Sequence, residues 1–139
     1  MKVARSVLAG GICAVAALAA SNGAEASVRV GGYSLRANGE VVQNFQYSGG
    51  CPVDLKFGWG LIGTKPSPIT YSFKRSDGGH ASSDSGGDIP QANHSVPVYY
   101  DWKLGANNPR FANFKGWVEL DVHSPNPVVK RVNFTIHCH

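Results

Sequence analysis

Hydrophobic and polar residues alternate with a period of two along most of the chain, which is the signature of half-buried β-strands. Val53, Leu55, Phe57, Trp59 and Leu61 share one face of the clearest run. Val96, Val98, Tyr100, Trp102 and Leu104 form a second, and Ile69, Tyr71 and Phe73 a third. Val118, Leu120 and Val122 alternate with Glu119, Asp121 and His123. Val128, Val132, Phe134, Ile136 and Cys138 share a face of the last run, with Lys130 as its polar exception. Val41, Gln43, Phe45 and Tyr47 predict a further strand, and Val28 to Leu35 another. The pattern therefore predicts about seven strands.

Turn residues fall between these runs. Ser48-Gly49-Gly50, the Gly63 to Pro68 segment, Gly105 to Pro109 and Ser124-Pro125-Asn126-Pro127 each combine Gly, Pro, Asn or Ser, the residues that set turn dihedrals. Ser76 to Asn93 is different, because Ser76 to Asp88 is almost wholly small or polar. It reads as a long mobile loop, a feature uncommon in compact domains unless it serves a function. Composition agrees with strands and turns. The chain has 139 residues, of which 17 are Gly and 8 Pro, and only 16% are charged. The usual charged fraction is about 25%, so a charged disordered chain is excluded.

The N-terminus carries its own signal. Lys2 and Arg5 precede an apolar run from Val7 to Ala20, and Ala24-Glu25-Ala26 supplies small residues at both cleavage-determining positions. The run is 14 residues, short of the roughly 20 needed to span a bilayer. Residues 1–26 are read as a secretory signal peptide, leaving residues 27–139 as one domain of 113 residues (139 − 26). Removal of Lys2, Arg5 and Glu25 lowers the formal charge from +4 to +3. The basic residues that remain are scattered, which excludes a clustered nucleic-acid stripe. No later stretch approaches membrane-spanning length.

Cleavage also removes Cys13 and leaves Cys51 and Cys138. A pair in an exported protein predicts a disulfide, here closing 138 − 51 = 87 residues. Both cysteines share the parity of the apolar positions next to them, so the bridge should staple two inner strand faces. Trp59 or Trp102 could pack on it. Short antiparallel strands with one buried bridge predict an all-β, immunoglobulin-like or fibronectin-III-like antiparallel β-sandwich. The long cysteine spacing and the position of Cys138 on the final strand separate it from antibody domains, and Ile136 stands where a tyrosine corner would be.

From Cys51-Pro52-Val53 the chain continues through Tyr71 to Gly78, Trp102-Lys103-Leu104-Gly105, Gly116 to Leu120 and Ser124-Pro125-Asn126 to Cys138. In order and spacing it resembles small exported bacterial domains of unknown function. That resemblance spans about 89 of the 113 residues. It implies an immunoglobulin-like sandwich with one disulfide and no particular chemistry.

Candidate chemistry is sparse. His137 and His139 share a strand face, and His-x-His can chelate Cu or Zn. His80, His94 or His123 could complete such a site, while exposed histidines at a frayed terminus are the simpler reading. Glu119 and Asp121 share a face as a glycosidase pair would, but outward carboxylates near Lys or Arg suit a solvated surface better. Ser, His and Asp show no triad spacing, so the chain is read as non-enzymatic and without a cofactor. Trp59 and Trp102 have core parity. Trp117 and Tyr99 have the opposite parity, and exposed aromatics anchor sugars or proteins. The sequence thus predicts a secreted or periplasmic binding module for a protein or glycan partner. Its expected contact residues are Trp117, Tyr99, Asp77 and His80. The alternative is a periplasmic metal-binding protein using His137 and His139.

Overall fold

A computed structural model describes residues 25–79, 85–105 and 113–139. The segment up to residue 24, most of the expected signal peptide, and His80 lie outside the described residues. Among the described residues the chain forms nine strands: β1 (Val28–Ala37), β2 (Glu40–Val41), β3 (Gln46–Gly49), β4 (Val53–Gly63), β5 (Ser67–Arg75), β6 (Ser85–Ile89), β7 (Ser95–Leu104), β8 (Asn113–Ser124) and β9 (Val128–Cys138). They make two sheets, β2-β1-β4-β7 and β3-β9-β8-β5-β6. All neighbouring strands are antiparallel except β3, which runs parallel to β9. The all-β sandwich with one bridge is as the sequence predicts.

The core lies between the two inner faces. Val53, Leu55, Phe57, Trp59 and Leu61 of β4 are all buried, as are Val118, Leu120 and Val122 of β8 and Val132, Phe134 and Ile136 of β9. Period-two alternation places them there, since successive side chains leave a strand on opposite sides. Aromatic rings fill the middle. Trp59 packs against Phe73 at 5.3 Å, and Phe57 meets Phe134 at 5.1 Å. Trp102 lies between Phe114 and Phe134, at 5.9 and 5.7 Å. Lys130, the polar residue at an inner position, sits at the seam between the sheets with its ammonium 4.8 Å from the Tyr33 ring.

Cys51 and Cys138 are bonded, joining the start of β4 to the end of β9. The bridge lies against Gly105. A Cβ there would stand 2.7 Å from Cys51 Cβ and 3.1 Å from Cys138 Sγ, and Gly105 also has φ +87°. Only glycine meets both conditions easily. The C-terminus is tied down, because the His139 N–H donates to Gly49 O at 2.9 Å. The expected frayed end is therefore absent, for the parallel β3–β9 pairing holds it.

Two expected segments differ. The strand predicted over Val41 to Tyr47 is broken into β2, a single 3-10 turn at Gln43–Phe45 and β3. Asn44 and Phe45 take positive φ, and this kink carries the chain from one sheet to the other. The loop predicted over Ser76 to Asn93 contains strand β6, whose Gly86 and Gly87 pair with Thr70 and Ile69 of β5. Its sequence is too small and polar to announce a strand. The pairing comes from the exposed edge of β5, and Ile89 anchors it in the core.

Candidate functional site

The outer faces of the two sheets are built from the residues that alternate with the core. On the five-stranded sheet most of these residues pair with one another, with Asp121 Oδ1 buried and lacking a hydrogen-bond partner. Arg131 donates to Glu119 Oε1 from Nε at 3.3 Å and from Nη2 at 3.1 Å. Its guanidinium lies 3.6 Å from the Trp117 ring centre. Lys74 Nζ stands 3.1 Å from Asp121 Oδ2. Ser72 Oγ and His123 Nε2 are 3.0 Å apart, and Thr70 and Ser124 hydroxyls 2.7 Å. His137 Nδ1 contacts Asn113 Oδ1. Each pair joins residues opposite or diagonal across neighbouring strands, the geometry that stabilises a sheet surface.

This carpet changes how several sequence candidates read. Glu119 and Asp121 were expected as solvated carboxylates; they are paired with Arg and Lys, yet only 8% and 7% exposed. The long basic side chains fold over them, because Lys and Arg bury their stems while their heads stay wet. Trp117 is half-buried rather than free, since Arg131 covers one side of its ring. Asp77 also has internal partners, accepting from Arg75 Nε at 3.0 Å and from the Gly79 N–H at 2.8 Å. His137 and His139 are exposed on the last strand. No group of three or more His, Cys, Asp or Glu side chains among the described residues comes together as a metal site. Ser72 and His123 are near enough for a nucleophile and base, but they lie in a row of exposed polar pairs beside Thr70 and Ser124.

The four-stranded sheet is different. Its outer face carries Gly58, Gly60 and Ile62 of β4, Ser34 of β1, and Ser95, Pro97 and Tyr99 of β7, beside Gly31 and Gly32. Together these line an open groove of about 370 Å³. Tyr99 is 54% exposed, as its parity predicts. Its ring leans across Gly58, with Cε1 3.1 Å and Cδ1 3.2 Å from where a Cβ on that glycine would stand. The register explains the contact, since Gly58 is directly opposite Tyr99. Ser34 Oγ and Ser95 Oγ stand beside the floor, 3.2 Å and 2.5 Å from the Cβ positions of Gly58 and Gly60. Charges lie beyond one end, where Lys56 meets Asp101 at 3.9 Å and Lys103 meets Asp54 at 3.8 Å. Lys56 Nζ is also 5.0 Å from the Tyr99 ring centre.

Of the three expected contact residues that are described, Tyr99 alone sits in an apolar groove. A second hollow of about 440 Å³ lies on the other sheet beside the 3-10 turn, lined by Asn44, Gln46, Lys115, Asn133 and Thr135 among others. It is larger, but polar side chains dominate it and it has no exposed aromatic anchor. The sequence missed Gly58, Gly60, Ser34 and Ser95, because small residues in a strand carry no chemical signature of their own. Gly58 and Gly60 within the β4 run are the available signal, since glycine inside a strand often marks a close approach.

The fold defines the chain as a β-sandwich with one disulfide linking its two sheets. No protein-family model and no curated protein matches it. No helix among the described residues is long and apolar enough to cross a membrane.

Proposed function

We propose that the protein is an exported, non-enzymatic binding module whose contact surface is the outer face of the four-stranded sheet around Tyr99. The observation that carries this reading is an exposed aromatic ring set over a glycine-floored groove. Large exposed aromatics in a concave, largely apolar setting are what binding sites present. Export is supported by the N-terminal sequence pattern and is compatible with the bridge, since disulfides persist in oxidising compartments. The test is to immobilise wild type and Tyr99→Ala and measure retention of envelope and extracellular fractions. Wild type should retain a component that Tyr99→Ala releases. Equal retention by both proteins would refute the assignment of this face.

A further inference from the structure

The ligand class of this groove follows from its chemistry, and the inference rests on the contact-surface reading above. We infer that the groove binds one or two rings of a neutral glycan, with a pyranose laid against Tyr99. Three observations point the same way. The Tyr99 ring offers an exposed aromatic surface, which suits the patch of C–H groups on a pyranose: the ring's negative face attracts their partial positive charge, and both surfaces are apolar. Hydroxyls flank the floor at Ser34 and Ser95. Each can donate or accept, as a ligand edged with hydroxyls requires.

Charge is the second observation. Lys56, Asp101, Lys103 and Asp54 oppose each other in pairs beyond one end, and the Arg29 guanidinium borders the groove at Gly31, its Nη1 3.8 Å from where a Cβ on that glycine would stand. The groove itself is lined by Gly, Ser, Pro, Ile and aromatic residues. With no Asp, Glu, Lys or Arg in that lining, the site suits a neutral ligand, which has no charge to desolvate.

Size is the third. At about 370 Å³ the groove falls in the range of small-molecule sites. A stable protein partner needs roughly 800 Å² on each side. Two exposed tyrosines border the groove, Tyr99 at 54% and Tyr33 at 45%, and Tyr33 also packs toward Phe45 and Lys130 at the seam.

The experiment titrates cellohexaose, chitohexaose and maltohexaose into the disulfide-bonded protein. Amide shifts and calorimetry report binding, and a sulfated heparin oligosaccharide serves as the charged control. At least one neutral hexaose should move the amides of Gly58, Gly60, Ser34 and Ser95, with heparin leaving them in place. Tyr99→Ala should weaken that binding about tenfold or more while keeping a dispersed spectrum. Tyr99→Phe, which keeps the ring, should stay within about threefold. Heparin binding at these amides, or no shift with any neutral hexaose at millimolar concentration, overturns the glycan assignment. If a protease-sensitive component of the envelope fraction is then retained in a Tyr99-dependent way, the ligand class falls but the contact surface stands. If nothing depends on Tyr99, both fall together.

Discussion

The two outer faces of this sandwich are made by the same alternation and end in opposite conditions. On the five-stranded sheet, Glu119, Asp121, Arg131, Lys74, Trp117 and His123 all find partners on neighbouring strands. On the four-stranded sheet, glycines stand where side chains would be, and Tyr99 leans over the gap. A face whose polar groups already satisfy one another gains little from a partner, because binding must first undo those contacts. The Tyr99 ring over its glycine floor has fewer such contacts, the Lys56 ammonium 5.0 Å from its centre being the charged one. The difference underlies the proposal that one face serves stability and the other recognition.

That division can be broken at several points. The largest effect should come from the bridge, which joins β4 of one sheet to β9 of the other. Replacing both Cys51 and Cys138 by Ala should cost about 3–5 kcal/mol for a loop of this length, read as a lower urea midpoint. Because the bridge serves both sheets, amide exchange should rise on both. Protection lost from one sheet alone would mean that the two faces do not share one core. Gly105→Ala should cost about 1–3 kcal/mol, since the new methyl meets the bridge and the backbone has positive φ. Its thermal midpoint compared with wild type checks this.

Next comes the crowded face. Arg131→Ala leaves buried Glu119 without its donor and Trp117 uncovered. It should destabilise the protein by about 1–3 kcal/mol and leave hexaose binding unchanged. Tyr99→Ala should do the reverse, weakening binding about tenfold or more at a stability cost below about 1 kcal/mol. If denaturation shows Tyr99→Ala to be as costly as Arg131→Ala, the tyrosine serves chiefly to cover Gly58. The smallest effect belongs to Ser72→Ala. The Ser72–His123 contact is exposed, so its loss should change stability by no more than about 0.5 kcal/mol. Loss of an ester-hydrolysing activity in this variant would overturn the non-enzymatic reading.

Much of the fold was legible in the sequence. Five runs of alternation correspond to β4, β5, β7, β8 and β9, because burying one face imposes a period of two wherever strands are long. Parity also placed Tyr99 outside and Trp59 and Trp102 inside. It failed where local sequence and long-range pairing compete. Val41 to Tyr47 alternates, but positive φ at Asn44 and Phe45 breaks it. Ser85–Ile89 has almost no strand character, but the edge of β5 recruits it. For Trp117, parity gave the correct side of the sheet and the wrong surroundings, because Arg131 covers it from the next strand.

The sequence alone therefore determined what depends on one residue and its near neighbours. It set the alternating faces and the turn-rich breaks, and it left two cysteines for one bridge once the first 26 residues are set aside. The tertiary structure decided what depends on register between distant strands. It set Tyr99 opposite Gly58, brought Arg131 beside Glu119 and Trp117, and put Gly105 against the bridge. A period of two tells which side of a sheet a residue occupies, but not which residues stand beside it there. Those neighbours are fixed by pairing across tens of residues, and they make one face closed and the other open.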